Sequence, residues 1–184
     1  MALMAANTAE LVGAERTPRF HAPYENWRPP VVGVSLLVPV GMNELLLADT
    51  TGHGDLMLPT GSMEAGETPE QAAQRVLVGA PTGFTILRRV AVDQVQTRRR
   101  RVITHIVATL PLANDDAASL SYRDPRALLL SVPRARAVSK LPEQAGHRAL
   151  IGLGCLSTGL VAHLEAGAIC RLEAAPLSPQ PDPG

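Results

Sequence analysis

Three glutamates and one arginine lie close together in the central part of the 184-residue chain. Glu64, Glu67 and Glu70 recur at intervals of three residues, and Arg75 follows them. Carboxylate oxygens are ligands that Mg²⁺ prefers, usually one or two from the protein together with waters and substrate phosphates. The pattern is therefore typical of a divalent-metal site that holds a phosphorylated ligand, and the same charges are equally able to form ion pairs with one another.

A glycine-containing loop followed by a helix is expected to position these side chains. Gly61 and Gly66 permit positive φ angles and a close approach of the backbone to a ligand. Thr68 begins a capping-box pattern, Thr-Pro-Glu-Gln, with proline at the first helical position. The spacing of apolar residues behind this cap predicts a helix from about Pro69 to Val78.

The segment resembles the Nudix box, in which a glycine, a glutamate, an arginine and a group of further glutamates follow at fixed spacing. Gly61, Glu67, Arg75 and Leu77 match that pattern in register. The resemblance implies an α/β fold, a Nudix-like α/β/α sandwich with a mixed β-sheet, whose loop and helix hold divalent metal against a diphosphate. It extends over residues 31–167, because the C-terminal part is similar to the end of some actinobacterial members.

The glutamates that hold most of the metal in that family are missing here. Their positions are occupied by Val76, Gly79 and Ala80, and the closing glycine, Gly83, stands one residue late. The resemblance therefore implies a degenerate member of the Nudix (MutT-like) hydrolase superfamily with an incomplete box. Any Mg²⁺ binding is expected to be weak, since few ligand oxygens remain.

Two roles remain open for Glu67. In the family, the matching glutamate often pairs with the arginine that matches Arg75 and braces the loop on the helix, and we expect the same structural pair here. The alternative is a metal ligand, and Glu64 and Glu67 are then the expected ligands. Gly61 and Glu64 are the expected contacts to the organic ligand within this loop.

Two positions outside the loop are further candidates for ligand binding. Arg100 belongs to a run of four arginines, Arg98–Arg101, which is either a solvated turn between strands or a clamp on a phosphate. His105 lies within the following strand, either as a histidine satisfied by the sheet or as a ligand contact. For a different reaction on the same scaffold, His105, Asp93 or Glu64 is the expected acid or base.

Composition limits the class of partner. The formal net charge is zero, with 17 basic and 17 acidic residues, and aromatic residues make up only 3% of the chain. Neither value favours nucleic-acid binding, because that requires basic surface or rings for stacking. Every apolar run is interrupted before it reaches the length of a membrane span. Cys155 and Cys170 have no metal-ligand spacing and are expected as free, buried thiols in a cytoplasmic protein.

The pattern of apolar residues predicts one domain between two less ordered ends. We expect a flexible N-terminal arm over residues 1–26, a domain over residues 27–170 and a disordered, proline-rich tail over residues 171–184. Alternating and β-branched runs predict strands, and the C-terminal part of the domain predicts a long helix. The expected elements are a strand at 31–40 with a hairpin partner at 44–49, strands at 84–96 and 102–110, and a helix at 142–156.

The resemblance, together with the missing glutamates, implies a divergent Nudix-fold protein that binds a nucleotide or organic diphosphate, or a partner protein. Metal-dependent hydrolysis is expected to be weakened or lost. One alternative is an active Mg²⁺-dependent pyrophosphohydrolase of nucleoside diphosphate-linked substrates, with metal ligands outside the box. The other is a non-hydrolytic biosynthetic enzyme on the same scaffold.

Overall fold

The structure, a computed structural model, describes residues 28–79 and 84–175. Strands and helices alternate along this part of the chain. In order, they are β1 (Val31–Leu37), β2 (Pro39–Val40), β3 (Glu44–Asp49), β4 (Leu56–Met57), β5 (Thr60–Ser62), α1 (Pro69–Gln74), β6 (Leu77–Val78), β7 (Ile86–Gln96), β8 (Arg101–Thr109), α2 (Asn114–Ala118), β9 (Ser121–Tyr122), β10 (Leu128–Pro133), α3 (Arg134–Lys140), α4 (Glu143–Thr158), β11 (Leu160–Glu165) and β12 (Ala168–Ala174).

The central element is a six-stranded mixed sheet with the order β12-β11-β7-β8-β1-β5. β1 runs parallel to β8 and β11 runs parallel to β7, while the other neighbours are antiparallel. The two long central strands, β7 and β8, are the antiparallel pair that the alternating apolar residues predict. Their exposed arginine-containing turn lies at one end of the sheet.

The first predicted strand is divided between two sheets. β1 belongs to the central sheet, whereas β2 pairs with β3 in a smaller sheet of order β10-β3-β2. β10 pairs along the whole of β3, so β4, which pairs with Ala48 and Asp49, lies on the same edge of β3 as β2. The break falls at Val38, before Pro39, because proline has no N–H for a ladder and restricts the residue before it. Only this second half forms the expected hairpin with residues 44–49.

Helices cover both faces of the central sheet, as an α/β/α sandwich requires. Ala72 and Ala73 of α1 pack against Val34 and Val107 on one face. On the other face α4 packs closely, because a Cβ at Gly152 would lie only 3.3 to 3.4 Å from three core side chains. The predicted fold class is therefore confirmed. No helix among the described residues is long and apolar enough to cross a membrane.

The C-terminus of α4 is held by an arginine from the sheet. Arg88 donates hydrogen bonds to the carbonyl oxygens of Cys155 at 2.7 Å and Leu160 at 2.9 Å. A cation is favourable at this end of a helix, where carbonyl groups lack helical partners. Cys155 is a buried free thiol, and burial raises its pKa. Cys170 is also free, but it is exposed, contrary to the expectation that both thiols are buried.

The domain ends later than the sequence predicts. β12 continues to Ala174, which lies opposite Leu160 of β11, so residues 171–174 form a strand and do not belong to a disordered tail. Cross-strand pairing stabilises these residues although their composition is largely polar and small. The expected arm over residues 1–26 and the remainder of the expected tail, residues 176–184, lie outside the described residues.

Candidate functional site

The loop after β5 is fixed to the edge of the central sheet. Gly61 lies opposite Val34 of β1, and a Cβ at Gly61 would lie 2.9 Å from Cγ2 of Val76. The glycine is therefore required for the packing of Val76, and its backbone does not adopt a positive φ. Gly66 has that conformation instead, with φ of 80°. The close approach expected at Gly61 is thus made by a side chain of the same chain.

The predicted capping box is present at the start of α1. The Thr68 hydroxyl accepts a hydrogen bond from the backbone N–H of Gln71 at 3.2 Å, and the Gln71 side chain accepts one from the N–H of Thr68 at 2.9 Å. Pro69 occupies the first turn, where its missing N–H has no helical partner. The helix therefore begins where the sequence predicts.

The predicted end of this helix is wrong. α1 ends at Gln74, and Leu77 and Val78 form strand β6, which pairs with β9. Val76 is buried at 2% exposure, and Gly79 adopts a left-handed φ of 74°. Pairing with β9 therefore replaces the last helical turn. Positions 76 and 79, which carry metal-binding glutamates in the resembled pattern, do not lie on a helix, and Ala80 and Gly83 lie outside the described residues.

Glu67 and Arg75 form a two-pronged ion pair. The guanidinium donates from Nε to Oε1 at 2.6 Å and from Nη2 to Oε2 at 2.7 Å. Oε2 also accepts a hydrogen bond from the backbone N–H of Glu64 at 2.8 Å. These contacts, led by the hydrogen bond from Arg75, lower the pKa of Glu67 to about 2. Both carboxylate oxygens of Glu67 are thus occupied within the chain.

The same arginine contacts the second candidate metal ligand. Nη1 of Arg75 lies 3.1 Å from Oε1 of Glu64, and Nη2 donates to the carbonyl oxygen of Ser62 at 3.2 Å. The Glu64 side chain is 70% exposed, whereas that of Glu67 is 12% exposed. A shallow, open depression of about 440 Å³ is lined by this cluster.

The donor set does not fit a divalent cation. Mg²⁺ needs anionic or carbonyl oxygens arranged around it. Here the guanidinium of Arg75 lies against the carboxylates of both Glu64 and Glu67. Among the described residues, no group of three or more His, Cys, Asp or Glu side chains is placed to hold a metal ion. A metal at Glu64 and Glu67 would have to displace Arg75 first.

His105 lies two strands away from Gly61 in the same row of the central sheet. Gly61 is opposite Val34, Val34 is opposite His105, and His105 is opposite Val92. The ring is half-buried, and its Nδ1 is buried without a hydrogen-bond partner within the described structure. Burial, followed by the charge of Arg89, lowers the pKa of His105. The expectation of a histidine satisfied by the sheet is therefore not met at Nδ1.

Arg100 is not placed against the loop by any contact in the described residues. It lies in the turn between β7 and β8, where its carbonyl oxygen accepts hydrogen bonds from the N–H and hydroxyl of Thr97. His105 is five residues further along β8, which corresponds to about 16 Å of extended strand. Arg98 and Arg99 are exposed beside it. The arginine run therefore has the geometry of a solvated turn between strands and not that of a clamp beside the loop.

Asp93 lies on the opposite face of the sheet from His105. It is fully buried, accepts from Nε of Arg148 on α4 at 2.5 Å and accepts from the N–H of Gly167 at 3.1 Å. Neighbouring residues of a strand point to opposite faces, and His105 is paired with the residue before Asp93. Of the three alternative acid or base candidates, Asp93 is thus separated from His105 by the sheet and is held in an ion pair with Arg148.

Tyr122 holds the loop and was missed by the sequence reasoning. Its hydroxyl donates to the carbonyl oxygen of Thr60 at 2.6 Å and accepts from the Thr60 N–H at 3.2 Å. The segment around Tyr122 contains turn residues, which are typical of an exposed connection between elements. The only signal in the sequence is the short pair Ser-Tyr before a turn, which is too short to identify a strand.

Comparison with known proteins identifies the fold. No protein-family profile and no curated protein match the chain. Many solved structures do, and among them are a MutT protein from Methanosarcina mazei Go1 (TM-score 0.50, 15% identity, 71% of this chain and 96% of that one), a dihydroneopterin triphosphate pyrophosphohydrolase from E. coli (0.51, 15%, 68% and 95%) and a NUDIX-family hydrolase from Clostridium perfringens (0.51, 13%, 68% and 97%). The chain therefore has a Nudix-like α/β fold with a mixed sheet.

Proposed function

We propose that this chain, on its Nudix-like scaffold, binds a nucleotide or another organic diphosphate beside the loop of residues 58–68, with metal-dependent hydrolysis weakened or lost. The observation that carries the proposal is the contact of Arg75 with both Glu64 and Glu67. A carboxylate whose two oxygens are hydrogen bonded to a guanidinium and a backbone N–H has little capacity left for a cation.

The early end of α1 supports the same proposal. A carboxylate at position 76 would point into the core, because Val76 is buried at 2% exposure against Gly61. Position 79 is in a left-handed conformation and is not part of the helix. The chain thus lacks, at these two positions, both the glutamates and the backbone geometry that would present them to a metal.

Ligand binding would use the face of the sheet next to α1. Arg89 lies opposite Val107, a core residue on the side of α1. Burial lowers the pKa of His105, and the charge of Arg89 lowers it further. A guanidinium supplies positive charge for a phosphate, and the half-buried imidazole of His105 would supply a hydrogen-bonding group in the same region. Glu64, whose side chain is 70% exposed, would contact a hydroxyl group of the ligand from the loop.

The test combines binding with turnover. Unmodified protein is titrated calorimetrically with nucleoside diphosphates and nucleoside diphosphate-linked compounds, with and without Mg²⁺, and phosphate or nucleoside monophosphate release is measured in parallel. The expected result is binding that does not depend on Mg²⁺, without turnover. Mg²⁺-dependent turnover would establish the active pyrophosphohydrolase instead, and the absence of binding by the whole panel would reject the proposal.

A pair of histidine variants tests the position of the ligand. His105→Ala should weaken binding by about tenfold, the effect of one lost hydrogen bond to a charged group. His53→Ala, in an exposed loop outside this face, is the matched control and should leave the affinity unchanged. Equal affinities for the two variants would place the ligand elsewhere.

A further inference from the structure

Strand β12 forms an open edge of the central sheet. Within residues 28–79 and 84–175 it pairs only with β11. Its side chains are exposed along almost the whole strand, including Ile169 at 52% and Leu172 at 50%. An edge strand with unpaired N–H and C=O groups and exposed apolar side chains is a template for pairing with another strand.

The hydrogen-bond pattern of the β11–β12 ladder determines which residues of β12 face the open edge. The N–H of Ala175 donates to the carbonyl oxygen of Gly159 at 2.9 Å, so these opposed residues form a hydrogen-bonded pair. Hydrogen-bonded and non-hydrogen-bonded pairs alternate along an antiparallel ladder. Leu172, which lies opposite Ala162, is therefore in a non-bonded pair, and its N–H and C=O point away from β11.

We propose that β12 pairs antiparallel with β12 of a second copy of this chain, about a twofold axis that passes through Leu172. In this arrangement Leu172 exchanges both backbone hydrogen bonds with Leu172 of the second copy, because these are the groups that face outward. Arg171 then lies directly opposite Glu173 of the second copy, and the twofold axis generates the same pair again. The two central sheets become one continuous sheet.

Charge selects this register from its neighbours. A twofold axis at Arg171 would place two arginines directly opposite each other, and an axis at Glu173 would do the same with two glutamates. The axis at Leu172 pairs opposite charges, and it does so in non-hydrogen-bonded pairs, where side chains approach more closely. Directly opposed charges of opposite sign stabilise a strand pair, and like charges destabilise it.

The charged residues are already arranged side by side on one face of β12. Arg171 contacts Glu173 of its own chain, and Glu173 lies 3.0 Å from Nε2 of His163. Arg171 remains 70% exposed, so it is free to contact a second carboxylate. The twofold pairing would place two arginines and two glutamates in alternation across the new ladder, so that each charge lies beside one of opposite sign.

The opposite face supplies the apolar contact. Leu172 and its copy would meet at the axis. Leu172 lies opposite Ala162, so both side chains are on the face of the sheet that packs against α4. The pairing is limited in length, because the β11–β12 register shifts at His163 and Leu164, next to Ile169. An isologous contact of this kind closes on itself and gives a dimer and not a filament.

Charge reversal tests the proposed register. Unmodified full-length protein at high micromolar concentration should sediment as a dimer. Arg171→Glu and Glu173→Arg each replace two opposite-charge pairs by two like-charge pairs, and each should raise the dimer dissociation constant by at least about tenfold. The double variant R171E/E173R restores the complementary arrangement and should again form a dimer. Circular dichroism melting verifies that every variant is folded.

Disulfide capture tests the same contact in a different way. In a Cys170→Ser background, Arg171→Cys and Glu173→Cys variants are mixed and mildly oxidised, and the expected product is a crosslinked dimer that contains one of each. Crosslinking of either variant with itself in preference to the mixture would contradict the register. A monomeric unmodified protein, or a dimer unaffected by both single charge reversals, would overturn the proposal.

Discussion

At the scale of single residues, Arg75 is the contact on which the loop depends. Arg75→Ala leaves Glu67, with a side chain only 12% exposed, and Glu64 without their shared cation. We expect the melting temperature to fall by a few degrees, while ligand affinity per folded molecule changes little. Arg75→Lys keeps the charge but loses the two-pronged geometry, so its melting temperature should lie between those of Arg75→Ala and the unmodified protein. A large loss of affinity at unchanged melting temperature would show that Arg75 contacts the ligand.

The Glu67 carboxylate also predicts a pH dependence. Its pKa in the folded chain is about 2, below the ordinary value of 4.5, chiefly because Arg75 hydrogen bonds to the ionised form. The stabilisation is therefore fully present above pH 4.5 and is lost as the pH falls toward 2. Melting temperatures across this range should fall more steeply for the unmodified protein than for Glu67→Gln. Parallel curves for the two proteins would contradict this source of stability.

The residue contacts differ in how far the sequence predicts them. The Glu67–Arg75 pair follows from a local pattern, since the two residues are eight positions apart and joined by a predictable cap. The contact of Tyr122 with Thr60 spans 62 positions and depends on the register of two short strands. No local pattern encodes that register, so this contact is visible only in the folded chain.

At the scale of elements, the end of α1 determines what substitutions in the box can restore. Val76→Glu would place an unpaired carboxylate at a position that is 2% exposed and that packs on Gly61. We expect a loss of about 2 kcal/mol or more in the free energy of unfolding, without any gain in Mg²⁺ affinity. Urea denaturation measures the free energy of unfolding, and Mg²⁺ titration measures the affinity for the metal. The isosteric Val76→Thr variant is the control with a smaller polar group, and tight Mg²⁺ binding by Val76→Glu would show that the helix extends.

The start of α1 was predictable and its end was not, for a physical reason. Thr68, Pro69 and Gln71 act through contacts within three residues, so the sequence contains the whole capping box. The residues after Gln74 have no strong preference that excludes a helix. Their conformation is decided by the pairing of Leu77 with Tyr122, a tertiary contact that overrides local propensity.

At the scale of the whole molecule, one buried ion pair connects the central sheet to its second helical layer. Asp93 is fully buried on β7, and Arg148 on α4 has a side chain only 17% exposed. Asp93→Ala strands the arginine and should reduce the free energy of unfolding by about 3 kcal/mol. In a double-mutant cycle, D93A/R148A should lose less than the sum of the two single variants. Additive losses would show that the pair is not coupled.

The position of the domain end predicts the effect of truncation. A chain that ends after Ala175 keeps the whole of β12 and should melt at the temperature of the full-length protein. A chain that ends after Cys170, the boundary that composition suggests, loses most of the ladder with β11 and should melt several degrees lower. Equal melting temperatures for the two truncations would show that β12 contributes nothing to stability.

The buried thiol of Cys155 can report the slow separation of α4 from the central sheet. Because the side chain is buried and its pKa is raised, an alkylating reagent reaches a reactive thiolate only when this end of α4 separates from the sheet. In a Cys170→Ser background, the labelling rate therefore measures how often that separation occurs in the native protein. Weakening the Arg88 contacts to the carbonyl oxygens at the end of α4 should accelerate labelling well before any change is visible in global unfolding.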